Sequence, residues 1–216
     1  MTDFVDIFGT DEFYAYFNNP GSRISDYVTY LNNNAVGEME NQCNVDILVQ
    51  GYDEVVQVDK CDDGESSGND GCNNGNNLCI RMKEADNWLE SNSDIYDSSS
   101  CCLVLDHYNN TDYFASNQTL GCAYGNTWNN SADKTAMVNE KASASWDGFS
   151  SRWVAGHEIG HVAGAEHSEV DNFTDGNGNR EGTYMHTGAS VSGGNCSNAK
   201  SVDEVLDYYS FCASIC

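Results

Sequence analysis

A single proline stands in 216 residues, and only 9 lysines and arginines face 34 aspartates and glutamates. With one Pro and no Pro/Ser-rich stretch the chain has no linker between separable modules, and its length fits one domain or two lobes of one. The formal charge of −25 excludes nucleic acid and anionic membranes as partners. No segment reaches the roughly 20 apolar residues of a transmembrane helix. Met1-Thr2-Asp3-Phe4 has neither the basic start nor the apolar run of a signal peptide. If the protein is exported, the chain is expected to be a mature form, with signal and pro-segment removed. No C-x-x-C occurs, and Cys72 and Cys79 are too far apart for a zinc knuckle.

What is abundant is acid, cysteine and short polar residues. The acidic residues are scattered along the chain, which favours a solvated surface suited to high salt; the alternative is a negative cleft that recruits basic substrates. Ten cysteines, an even number, predict disulfides and an oxidising, secreted setting. N-x-S/T sequons at Asn109, Asn117, Asn129, Asn172 and Asn195 are compatible with secretion, although they arise easily in an Asn-rich chain.

Asp3 to Phe8 read as a first strand. After the turn Asn18-Asn19-Pro20-Gly21, Ser22 is placed to cap a helix with Ile24, Tyr27, Val28, Leu31, Ala35 and Met39 on one face. Val45 to Gln50 form a second strand, and the strand-helix-strand order predicts a parallel pair. The Asp-, Asn- and Gly-rich stretch 61–77 reads as a surface loop stapled by Cys residues. A helix follows on Leu78, Met82, Ala85 and Leu89, then a buried strand Cys102 to Asp106. Cys101 and Cys102 point to opposite faces of that strand and are expected to bond to different partners. Thr119 to Gly125 and Thr135 to Asn139 are short strands, the first with Gly near each end, where another backbone is expected to approach closely. Ser201-x-x-Glu204 predicts a last helix through Val202, Val205, Leu206 and Tyr209. Asp70-x-Cys72-x-Asn74-Gly75 and Asp175-Gly176-Asn177-Gly178-Asn179 are weak Ca2+ candidates; ordinary polar loops are the favoured reading.

The chemistry concentrates at His157-Glu158-Ile159-Gly160-His161-Val162-Ala163-Gly164-Ala165-Glu166-His167, a run that holds three of the five histidines. On a helix, residues i and i+4 lie about 40° apart, so His157 and His161 project together toward one Zn2+. Gly164 can turn the chain sharply and bring His167 back as third ligand, leaving the fourth position to water. Glu158, about 100° around the helix from His157, can lean over that open position as general base. Trp153, His157, His161 and Gly164 make one stripe, and Ala155, Ile159 and Val162 a second, apolar one that anchors the helix. A bare H-E-x-x-H arises by chance in many proteins, but the added Gly and third His favour the metal site.

The extended motif followed by Met185 resembles the metzincin clan of zinc endopeptidases, and the order of elements resembles its adamalysin or reprolysin-like branch. The resemblance implies an α/β fold: a twisted five-stranded mixed sheet with long helices, an active-site helix and a backing helix, plus a smaller irregular C-terminal lobe ending in a helix. One catalytic domain over 1–216 is implied, with an upper lobe 1–164 and a lower lobe 165–216. Met185 would form the Met-turn floor under the ligands. Gly121, Cys122, Ala123 and Tyr124 would lie on an antiparallel edge strand that binds a peptide substrate as an added strand. Cys122 would bond to Cys212 or Cys216. Ser168 after the third His is as in matrixins and His186 after Met185 as in astacins, while Thr187 stands where a tyrosine ligand would be. His186 reads as a packed or exposed neighbour of the Met-turn, with a metal role disfavoured. The expectation is a secreted, monomeric zinc endopeptidase of protein or peptide substrates, salt-adapted as in a halophile. The competing expectation is an inactive metzincin-like extracellular binding domain.

Overall fold

The computed structural model describes residues 2–58, 77–107, 121–140, 151–166, 172–174, 180–182 and 204–205. Their main sheet has five strands in the order β2-β1-β3-β5-β4. These are β1 (Thr2–Thr10), β2 (Asp46–Val56), β3 (Cys101–Asp106), β4 (Gly121–Ala123) and β5 (Thr135–Asn139). All neighbours run parallel except β4, which lies antiparallel on β5 at one edge. The helices are α1 (Asp11–Tyr16), α2 (Pro20–Asn33), α3 (Ala35–Cys43), α4 (Asn77–Asn92) and α5 (Ser151–Val162). This is the α/β architecture with a five-stranded mixed sheet that the resemblance implied, and β1 and β2 are the expected parallel pair.

Two-residue alternation along the central strands sends side chains to both faces. Val5 and Ile7, Leu103 and Leu105, and Ala136 and Val138 pack with α2, α3 and α5; Phe8, Val104 and Met137 pack with Leu78, Met82, Ala85 and Leu89 of α4. Both faces are covered, so the inner strands are buried throughout and read as near-continuous apolar runs.

Several expectations need correction. Asn19, not Ser22, caps α2: its side chain accepts from Ser22 N at 3.3 Å, and Pro20 opens the first turn, where a missing N–H costs nothing. The single expected helix breaks at Asn34, whose Nδ2 donates to Tyr30 O at 2.8 Å, because an Asn side chain competes well for helix carbonyls. Cys122 bonds to Cys79 of α4, with Cα atoms 5.3 Å apart, rather than to Cys212 or Cys216. It points to the α4 face of β4, where Cys79 starts the helix. Cys101 and Cys102 do lie in different cores but are free thiols, serving as small apolar residues. Cys43 is disulfide-bonded. Glu204–Val205, expected in a helix, form β8, which pairs parallel with β7 (Arg180–Gly182), itself antiparallel to β6 (Asn172–Thr174); a capping box and a few periodic apolar residues do not outweigh sheet pairing. Both Ca2+ candidates, the stapled loop over 61–76, and Cys212 and Cys216 lie outside the described residues.

The α4 side of the sheet carries buried charge. Asp86 of α4 accepts from Tyr96 Oη at 2.9 Å, Thr135 Oγ1 at 2.5 Å and Asp133 N at 3.2 Å. Lys134 donates to Ser99 O at 2.9 Å, and its ammonium stands 4.4 Å from the Tyr96 ring centre. Asp6 on β1 accepts from Ser99 Oγ at 2.5 Å, yet burial pushes its carboxyl above the ordinary 3.8, against hydrogen bonds from Ser99 and Tyr52 and the Lys134 charge. A carboxyl whose pKa the fold raises contributes stability below its unfolded pKa and loses it as pH rises through the folded one. Asp6→Asn should therefore melt above the wild type in neutral buffer, the gap closing as the medium is acidified toward 3.8 and gone below it. A variant that melts lower at neutral pH would show instead that the ionised carboxylate is the favoured form.

Candidate active site

α5 is buried nearly all round: Ala155, Ile159 and Val162 anchor it in the core with α2 and α3, as their stripe predicted. Its start is tied by Glu140, which follows β5. Ser151 Oγ donates to Glu140 Oε2 at 3.2 Å, and Arg23 of α2 grips both carboxylate oxygens, Nε to Oε1 at 3.0 Å and Nη2 to Oε2 at 2.7 Å.

Gly164 ends the helix as expected, with φ at 99°. Gly164 N donates to His161 O and Ala165 N to Gly160 O, both at 2.9 Å, the paired bonds of a glycine C-cap. A second device was not legible in the sequence. The segment after β4 turns its amides onto the same helix end: Asn126 N donates to His161 O at 2.8 Å, and Thr127 N and Trp128 N to Val162 O at 2.9 and 3.0 Å. Val162 O, which would otherwise be orphaned, is thereby satisfied by the edge-strand loop, and His161 O gains a second donor.

On this clamped helix the His157 and His161 rings meet edge to face, with centroids 4.8 Å apart, and Trp153 lies against His157 at 5.7 Å. His161 Nδ1 lies 2.8 Å from Ala165 O. A carbonyl only accepts, so Nδ1 carries the proton and Nε2 keeps its lone pair. Burial pushes the His161 pKa below its ordinary value, which favours the neutral ring that a metal ligand must be. Glu158 is 7% exposed, and burial pushes its carboxyl up to about 8. A cation beside it would favour the ionised form and bring that value back down.

Glu158 lies under β4, against Gly121. The sequence marked Gly121 for close approach, but the partner is a side chain, not another backbone; Gly125 has open space around it. Thus the structure brings together His157, Glu158 and His161 with Gly121 of the edge strand, while Cys122 and Tyr124 face α4 and Ala123 faces the α5 side. His167, Met185 and His186 lie outside the described residues.

The donor set fits a metal ion. Two neighbouring imidazoles share one helix face, one of them with its tautomer set for ligation by Nε2, and a carboxyl stands next to them. Among the described residues no three His, Cys, Asp or Glu side chains converge as a complete metal-binding group.

A metzincin-like α/β domain that carries a His-Glu-x-x-His helix beneath an antiparallel edge strand is a metallopeptidase scaffold. The sequence agrees: residues 3–210 match Metallo-peptidase family M12, and the chain belongs to that family. No curated protein matches it.

Proposed function

We propose that the protein is a secreted zinc endopeptidase that hydrolyses peptide bonds with Glu158 as general base. The observation that carries this reading is the juxtaposition on one helix turn of a ligation-ready His161, the neighbouring His157 ring and the buried Glu158 carboxyl, the last of them beneath a sheet edge. His157 and His161, with His167 as third ligand, would hold Zn2+. Bound there, it would supply Lewis acidity, acidifying a water and polarising the scissile carbonyl.

The chain's own groups do the rest. The Glu158 carboxylate accepts the attacking water's proton and returns it to the leaving amine. The outer edge of β4, which has no strand beside it among the described residues, takes an extended peptide as an added strand. Met185 is assigned to the floor of the site, and residues 165–216 to a lower lobe facing the upper lobe 1–164. The Cys79–Cys122 bond and the bonded Cys43 support an oxidising, extracellular setting. No helix among the described residues is long and apolar enough to cross a membrane. The charge of −25 is read as salt adaptation of a monomer, because self-repulsion on that scale is relieved by screening ions.

Casein cleavage in multimolar salt, with and without a chelator, tests both parts. Chelator-sensitive turnover that restores with Zn2+ and declines in dilute buffer is expected. An inert zinc-loaded protein would leave only the binding-domain reading standing, and equal stability at low and high salt would remove the salt adaptation.

A further inference from the structure

β4 is only three residues long, and its two faces meet different neighbours: Ala123 packs on the α5 side, Cys122 and Tyr124 on the α4 side. Gly121 stands over Glu158, and the space its missing side chain would fill is taken. A Cβ built there would collide with Glu158 Oε1 and come within 2.5 Å of Cγ and 2.7 Å of Cδ. Gly121 is not among the positive-φ residues, so its backbone tolerates any side chain; glycine serves here for space alone.

Neither wall of this slot is free to retreat. Gly121, Cys122 and Ala123 pair with Val138, Met137 and Ala136 of β5, and Cys122 is bolted to Cys79 of α4. Below, α5 is buried along its length and its end is held by the amides of Asn126, Thr127 and Trp128. If a side chain entered at 121, the movable atoms would be those of the Glu158 carboxyl.

We infer that Gly121 is a positioning residue for Glu158: its bare Cα leaves the slot in which the carboxyl sits, and the Cys79–Cys122 bond sets the depth of that slot. The inference rests on the reading of Glu158 as general base. A displacement of about 1 Å is enough to cost on the order of a hundredfold in rate, whereas pairing of a peptide to the β4 backbone needs no room on the α5 face.

The test is Gly121→Ala. A crystal structure should show the Glu158 carboxyl displaced by about 1 Å or more while β4 and α5 superpose on the wild type. Bound zinc per chain should be unchanged. The kcat should fall roughly a hundredfold with KM within about threefold of wild type, the signature of a lost transition-state contribution. Adding Cys79→Ser and Cys122→Ser should let β4 lift and recover part of kcat, so that the combined variant is less impaired than the product of the separate effects.

An unmoved carboxyl, a kcat within about threefold of wild type, strictly multiplicative effects, or loss of zinc and folding together would overturn the inference. A wild type without chelator-sensitive hydrolysis defeats the functional reading instead, and the displacement seen in the variant structure then judges the slot by itself.

Discussion

Glu158→Gln should leave a folded, zinc-binding protein whose kcat is lower by about 10²–10⁴, the usual contribution of a positioned general base. The substitution keeps the shape that fills the slot beneath Gly121 and removes only the ability to take a proton. His157 and His161 keep their ring contact, and His161 keeps its bond to Ala165 O, because neither depends on the carboxylate. Zinc content and melting temperature should therefore stay near wild type while turnover collapses with little change in KM. Loss of zinc along with activity would make Glu158 a structural support of the ligand helix, and retained turnover would refute its role as base.

The largest stability effect is expected on the α4 side of the sheet, opposite the active-site helix. Arg81 and Asp106 are completely buried and pair through Nε to Oδ2 at 2.8 Å and Nη2 to Oδ1 at 2.9 Å. Asp106 also accepts from Thr10 Oγ1 at 2.7 Å and His107 N at 3.0 Å, and Arg81 reaches Glu12 Oε2 at 3.1 Å. The network joins α4 to the ends of β1 and β3. Arg81→Met would leave the buried Asp106 carboxyl without its cation, and removal of one partner of such a pair costs about 3–5 kcal/mol. Denaturant unfolding should show that loss, and adding Asp106→Asn should restore part of it by removing the stranded charge. A loss below about 1 kcal/mol would mean that Thr10 and the His107 amide alone satisfy the carboxylate.

Elements whose signal is local are legible in the sequence. Apolar runs mark β1, β3 and β5, helical spacing marks α4, and the strand-helix-strand order announces the parallel β1–β2 pair. The helix break at Asn34 is hidden because the apolar face runs through it; only a side chain that bonds back to Tyr30 O reveals the interruption. Long-range pairings are not legible at all. Arg81 and Asp106 lie 25 residues apart, and Cys79 and Cys122 lie 43 apart; nothing in spacing distinguishes these partners from others of the same type.

By itself, the sequence determined what the site is made of. Two histidines one turn apart, the glutamate beside the first and the glycine that ends the helix follow from helical geometry, which acts over four residues and needs no tertiary partner. Only the tertiary structure decided what surrounds that helix: Gly121 as the roof over Glu158, the amides of residues 126–128 on the helix end, and Cys79 as the partner that bolts the edge strand in place. These depend on which faces meet when the chain collapses, and that is settled by the packing of α4 and α5 on opposite sides of one sheet.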